Sequence, residues 1–197
     1  ESGRKLYDLA NLDDPNDVAN AMFALRKEKV GNTFLPHYLQ KIVAISLVLA
    51  NKSQIKVWSL GEENSTEEEL ITRFFAGINK HTPVIVSWNG SGFDLPVLHY
   101  RSLKHGISAE NYWETGEQQQ AFRWNNYLNR FHYRHLDLMD ILAAYQNKAF
   151  APLDEIATML GFPGKMGMSG NKVWESYQDG NIKGIRNYCE TDVLNTY

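Results

Sequence analysis

Asp94, Tyr188 and Asp192 are the side chains whose types and spacing could do chemistry together. Asp94 lies in "VSWNGSGFDLPVL" (86–98), where a short apolar run and a glycine-rich turn hand over to a helical pattern. Tyr188 and Asp192 lie four residues apart in "YCETD", and on an α-helix that spacing puts both on one face, about 5–6 Å apart at Cβ. Asp94 follows the end of a strand, and in α/β sheets the crevice outside the strand ends is where ligands bind. A helix packed on that sheet could bring Asp192 beside it. Two carboxylates in one cleft repel each other and favour a hard divalent cation bound through oxygen, which can activate water and stabilise the departing oxygen of a phosphodiester. Each residue also has a plainer reading. Asp94 with Pro96 in the first turn makes a common helix N-cap, Tyr188 alone suits a core edge, and Asp192 alone a solvated helix face. The pairing of Tyr188 with Asp192 turns Asp94 from cap towards ligand, and the two roles are compatible.

These residues need strands and helices to position them. Asp14 and Pro15 open a helix carrying Val18, Ala21, Met22 and Leu25 and closing at Gly31. "KIVAISLVLA" (41–50) reads as a strand buried on both faces, and "QIKVWSL" (54–60) as its antiparallel partner across "NKS". Ser65 and Glu68 form a capping box before a helix with an apolar stripe of Leu70, Ile71, Phe74, Phe75 and Ile78, running to about Lys80. "PVIVSW" (83–88) is the next buried strand, and a helix follows to Gly106. Residues 107–134 show no clean periodicity. "HLDLMDILAAY" (135–145) begins as a strand and becomes a helix, another helix covers about 152–160, and "KVWESY" is a helical turn. The segment 181–197 is a core-facing helix, with Ile182, Ile185, Cys189, Val193 and Thr196 on its apolar stripe.

The 197 residues suit a single domain with a substantial core. The longest apolar run, Ile42–Ala50, is about half the length of a membrane span. No secretory pattern opens the chain, and the single Cys189 cannot form an internal disulfide, so a cytoplasmic setting is expected. The net charge of −3 argues against coating long duplexes, but leaves room for gripping a few nucleotides at a strand end.

The pattern Asn89, Gly90, Phe93, Asp94, followed about a hundred residues later by Tyr188 and Asp192, resembles the second and third motifs of the DEDD exonucleases, ribonuclease H-like 3′-to-5′ exonucleases. Tyr188 matches their tyrosine subclass; Asn187 stands where the histidine subclass carries its His. "HLDLMDIL" and "YCETDVLNTY" bring the chain nearest to predicted exonucleases related to the proofreading domain of family B DNA polymerases, over roughly residues 18–197. The resemblance implies an α/β, ribonuclease H-like mixed sheet with helices on both faces and a two-metal site for Mg²⁺ or Mn²⁺. Asp94 and Asp192 would be metal ligands, Tyr188 would orient the attacking water, and Asn89 and Phe93 would hold the terminal nucleotide or shape the turn beneath it. The substrate would be a single-stranded 3′ end, DNA favoured over RNA. The family's first motif, a D-x-E whose period of two aims both carboxylates to one face, lies on no apolar run of this sequence. Glu1 is its one candidate remnant, and the expectation is that the first strand with the whole motif lies upstream and that this chain alone cleaves little. The alternative is a catalytically silent nucleic-acid-binding module of the same fold.

"FRWNNYLNRFHYRH" (122–135) mixes Arg123, Arg130 and Arg134 with five aromatic rings and holds no acidic residue. It fits a stacking groove for single strands, in which Arg123, Trp124 and Arg130 would touch substrate, and equally an irregular hairpin with its rings in the core. His132 and His135 lack a third zinc ligand and read as structural. The "GFPGKMGMSG" loop lacks the ending of a phosphate-binding P-loop; Lys165 in it is a mobile lysine or a phosphate contact. Asp137 and Asp140 read as turn-initiating carboxylates, Asp137 with an option of supporting the site from behind.

Overall fold

The computed structural model describes residues 2–164 and 167–197, so Glu1 and Lys165 lie outside the described residues. The chain forms two compact units, one ending at Lys41 and one spanning Ile42–Tyr197. In the first, α1 (Ser2–Leu6) packs on α2 (Pro15–Val30). As the sequence suggests, Asp14 caps α2: its carboxylate accepts the amide hydrogens of Asn16 at 2.7 Å and Asp17 at 3.1 Å, and Gly31 in the left-handed region closes the helix.

Among its described residues the second unit holds four strands with helices packed against them, a mixed α/β arrangement consistent with a ribonuclease H-like fold. β1 (Ser46–Ala50) pairs antiparallel with β2 (Ile55–Ser59), Ser46 facing Ser59 and Ala50 facing Ile55. After α3 (Glu67–His81) comes β3 (Ile85–Ser87), then α4 (Asp94–His105) and the short α5 (Glu110–Trp113). β4 (His135–Asp137) pairs parallel with β3, Ser87 facing Asp137. α6 (Leu138–Leu142), α7 (Leu153–Met159), α8 (Val173–Gln178) and α9 (Ile182–Thr196) complete the unit.

Two expectations about the sheet need correction. Among the described residues the four strands form two hydrogen-bonded pairs rather than one continuous sheet. The first strand also starts at Ser46 rather than Lys41, and it is not buried on both faces: Leu49 is 48% exposed and Ile55 opposite its end 57%. A two-stranded hairpin offers cover on few sides, so its tip stays wet however apolar its sequence. α9 packs on β1, β2 and β3 and so covers both pairs.

The core gathers Ile71, Phe75 and Ile78 of α3 with Leu95 and Leu98 of α4, Tyr112 of α5, and Phe122 and Tyr127 of the following loop. Tyr112 sits edge-on to Phe75 at 5.3 Å and stacks on Tyr127 at 5.4 Å, arrangements favoured by the ring quadrupoles. The α3 cap falls one residue later than expected. Thr66, not Ser65, accepts the Glu69 amide hydrogen (3.2 Å), while Ser65 Oγ accepts that of Glu62 and bends the chain into the helix. This shift turns Glu67 inward. Its carboxylate receives Arg101 Nε at 2.7 Å and a second Arg101 nitrogen, His105 Nε2 at 2.8 Å, and the Ile42 amide hydrogen at 2.7 Å. α3, α4 and the start of the unit are thereby tied at one buried point.

Burial by itself would raise the Glu67 carboxyl, but the bonds from Arg101, His105 and Ile42 outweigh it and hold it at about 2. A folded-state pKa below the unfolded 4.5 gives stability that is present above pH 4.5 and lost as pH falls towards 2. Glu67→Gln leaves Arg101 buried without its counter-charge and is expected to cost about 3–5 kcal/mol. Urea unfolding of both proteins checks this: the gap should be full at neutral pH and narrow below about pH 4.

Candidate active site

Asp94 is positioned by the turn before it. β3 ends at Ser87, and the chain reverses through Asn89 at φ +59, a left-handed conformation that Asn tolerates well. The Asn89 carbonyl accepts the amide hydrogens of Gly92 at 3.1 Å and Phe93 at 3.0 Å. Gly90 is buried against Ser87 and His135, and a Cβ there would strike the Ser87 hydroxyl. Asp137, buried at the end of β4, accepts the amide hydrogens of Asn89 and Ser91, both at 2.9 Å. His135, two residues earlier on the same face of β4, meets Ser87 Oγ at 2.8 Å through Nε2. Trp88 Nε1 donates to the Ala151 carbonyl (3.0 Å) and anchors the other flank just ahead of α7. The parallel pairing of β3 with β4 thus builds a rigid turn from which α4 departs.

Asp94 is not the N-cap of α4. It is the first helical residue, and Phe93, with no capping side-chain bond, takes the cap position. Asp94 keeps an exposed face although protein surrounds it on most sides, so it occupies a cleft rather than a convex surface. Loss of solvating water is the main cause that pushes its carboxyl up to about 6. Its own amide hydrogen pulls the other way, and the charges of Asp137 and Asp192 add to the rise.

α9 supplies the other wall. Tyr188 and Asp192 lie on one side of it and line the same cavity. Burial, then the Asp192 carboxylate beside it, raise the phenol well above its usual range, with Asp154 of α7 adding to the rise, so Tyr188 stays a neutral O–H. A small cavity of about 120 Å³ opens beside the pair, lined by Pro152, Leu153, Asp154, Gly164, Tyr188, Asp192 and Asn195. That is room for about four waters.

Asp94 thus lies within reach of the Asp192 charge, Tyr188 and Asp192 line the cavity beside α9, and Asp137 braces the turn that carries Asp94. Asp154 and Asn195 were not foreseen. Asn195 was legible as the residue one helical turn after Asp192; Asp154 reaches the site only through the packing of α7 on α9. The loop 122–134 divides between its two readings. Phe122 and Tyr127 are core, whereas Trp124 is 80%, Phe131 66% and Tyr133 74% exposed. Arg123 lies 5.7 Å from the centre of the Trp124 ring. Arg130, expected to touch substrate in a stacking groove, has a protein partner: its guanidinium forms two 2.7 Å bonds to Asp140, which is thus an ion-pair residue rather than a turn initiator. His132 Nδ1 accepts the Asn126 amide hydrogen (3.0 Å), so both histidines of the pair brace backbone or side chains as expected.

Asp94 and Asp192 suit a hard divalent cation in charge and donor type. Their number falls short, since among the described residues no group of three or more His, Cys, Asp or Glu side chains is arranged around a common point.

Two outcomes are expected. In the unfolded chain Asp94 ionises near 3.8 and in the folded chain near 6, so folding loses stability as pH rises from about 4 past 6. Asp94→Asn should raise the melting temperature by about 2–4 °C at pH 8 and leave it unchanged near pH 3.5, measured by calorimetry across that range. Asp137→Asn leaves one oxygen to serve two amide hydrogens, and should cost about 1–3 kcal/mol in urea unfolding.

Comparison with known proteins follows the same lines. A 73-residue stretch, 36% of the chain, is 33% identical to DNA polymerase 1 of Saccharolobus solfataricus, of which it covers 8%, so the chain spans a small fraction of that relative's length. Residues 32–197 match the family described as "Predicted 3'-5' exonuclease related to the exonuclease domain of PolB". With most of its length inside that match, the chain belongs to the family of predicted 3′-5′ exonucleases related to the exonuclease domain of PolB.

Proposed function

We propose that residues 1–197 bind the 3′ end of a single-stranded nucleic acid in the cleft between α4 and α9 and, by themselves, do not hydrolyse it. The observation that supports this reading is an incomplete donor set: the charge of Asp192 acts on Asp94, Tyr188 lines a cavity with Asp192, and no group of three metal-ligating side chains forms among the described residues. Mg²⁺ bound by two carboxylates keeps most of its octahedron for water and substrate phosphates, so in the free chain the protein supplies only a minority of its ligands. Asn89 and Phe93 would meet the terminal nucleotide beside Asp94, and the exposed Trp124 with Arg123 would stack a base further along the strand. Arg130 would contribute charge only from within its Asp140 pair. DNA is the favoured strand, and Tyr188 four residues before Asp192 is the feature that supports the tyrosine subclass.

A second reading, a metal-dependent 3′-to-5′ exonuclease, is favoured by one feature. β1 and β3 each have one hydrogen-bonded neighbour among the described residues, and both lie under α9. A strand carrying D-x-E and paired to one of these edges would aim two more carboxylates at Asp94 and Asp192. Mg²⁺ or Mn²⁺ held by the four would supply an activated water; Tyr188 would align it, and a nucleoside monophosphate would leave.

One experiment separates the readings. Single strands labelled at the 3′ or the 5′ end are mixed with the chain, its Asp94→Ala variant and its Trp124→Ala variant, with Mn²⁺ or EDTA. Binding without shortening, weakened about 5- to 150-fold by Trp124→Ala, is the expected result. Metal-dependent shortening from the 3′ end that Asp94→Ala abolishes would establish the exonuclease instead, and absence of binding by the folded chain would overturn both.

A further inference from the structure

Arg186 and Glu190 lie on α9 and belong to neither the cleft nor the apolar stripe. At 3.6 residues per turn they share one side of the helix, and Tyr188 stands about 200° round from Arg186. The side that carries Arg186 and Glu190 meets the end of the β1–β2 hairpin. The Arg186 guanidinium donates to three consecutive carbonyls: Nη1 to Leu60 at 3.0 Å, Nη2 to Gly61 at 2.9 Å and, more weakly, to Ser59 at 3.4 Å. A planar fork of donors suits such a cluster, whereas an ammonium is a single point charge. One turn on, Glu190 Oε1 accepts from Ser59 Oγ at 2.6 Å. Ser59 Oγ in turn lies 2.8 Å from Ser46 Oγ across the strand pair, both serines buried. The hairpin is thus tied to α9 through side chains, β2 directly by Ser59 and β1 by way of it.

We infer that Arg186 and Glu190 are positioning residues that set the rotation and height of α9 on the hairpin, and thereby aim Tyr188 and Asp192 at Asp94 from its opposite side. A helix side chain reaches about 5–6 Å from the axis, so a 20° turn of α9 would displace the Asp192 carboxylate by about 2 Å. Shifts of that size are enough to undo a site that relies on oriented groups. Apolar contacts such as Ile185 hold the helix down but tolerate rotation; hydrogen bonds to fixed carbonyls do not.

The inference rests on the proposed cleft only for its purpose, and its test is independent of that reading. Cys189 is the one cysteine in the chain, and it sits between Glu190 and Tyr188. Its modification rate by an aromatic disulfide is measured in the wild type, Arg186→Gln, Arg186→Lys and Glu190→Gln, beside urea unfolding. The same proteins carry 3-fluorotyrosine, with the Tyr188 ¹⁹F resonance assigned by its loss in Tyr188→Phe. Arg186→Gln is expected to speed Cys189 modification about tenfold through local opening at a denaturant-free folded fraction equal to that of wild type, and to shift or split the Tyr188 resonance. Arg186→Lys should recover part of both effects, and Glu190→Gln, whose amide oxygen still accepts from Ser59, should show the smaller change. An unmoved Tyr188 resonance, or Cys189 rates that track global unfolding alone, would overturn the inference. If Arg186→Gln does not fold, Glu190→Gln and Arg186→Lys carry the same two readouts. A fluorescent oligonucleotide titrated into each variant adds the functional arm: affinity lost in step with the resonance shift ties positioning to binding. If the wild type binds nothing, the functional reading fails while the Cys189 and ¹⁹F arms still decide the positioning.

Discussion

The seating of α9 across both strand pairs is the constraint on which the rest of the second unit depends. β1 with β2 and β3 with β4 are short, two-stranded and not bonded to each other among the described residues, and isolated strand pairs of this kind are marginal in water. α9 packs against β1, β2 and β3 and makes one body of them. The helix that carries Tyr188 and Asp192 is also the element that holds the strands together, so site geometry and fold stability are linked. A change that loosens α9 acts on both.

The Asp94 wall is built differently. Its rigidity comes from hydrogen bonds into a turn: Asp137 to two backbone amides, the Asn89 carbonyl to two more, and the Trp88 indole to the Ala151 carbonyl. The carboxyl so presented is in an unfavourable electrostatic position, short of water and near two other carboxylates. Strain of this kind at a cleft is what a bound cation or a positively charged ligand group would relieve. The Glu67 cluster is the contrasting case. It is a buried carboxylate with all its partners in place, and it ties α3 to α4 behind the site.

Much of the organisation could be read from residue patterns, because the signals were local. The Asp14–Pro15 start and Gly31 stop of α2, the stripe of α3, the stop of α4 at Gly106 and the strand-to-helix passage at 135–145 all rest on caps, glycines and periodicity within a few residues. Errors arose where long-range packing overrode a local rule. Ser65 read as the cap, but Thr66 takes that place, and the later start goes with Glu67 facing inward to Arg101. The apolar run 41–50 suggested full burial, but burial depends on what lies on each face. Asp94 looked like a cap because Pro96 follows it, yet the helix starts one residue earlier than that reading requires, with the Val97 amide hydrogen already bonded to the Phe93 carbonyl.

The amino-acid sequence by itself determined which residues could act: a carboxylate after a strand, and a phenol and a carboxylate one helical turn apart, since these follow from residue type and helix geometry alone. It also determined the family, because that pattern spans the chain. Only the tertiary structure decided that the charge of Asp192 reaches Asp94, that Asp137 braces the turn and Asp154 reaches the cavity, that Arg130 is bound to Asp140, and that Trp124 is exposed while Tyr127 is core. Each of these depends on contacts between segments tens of residues apart, whose existence is set by how the elements pack and not by any neighbour in the chain.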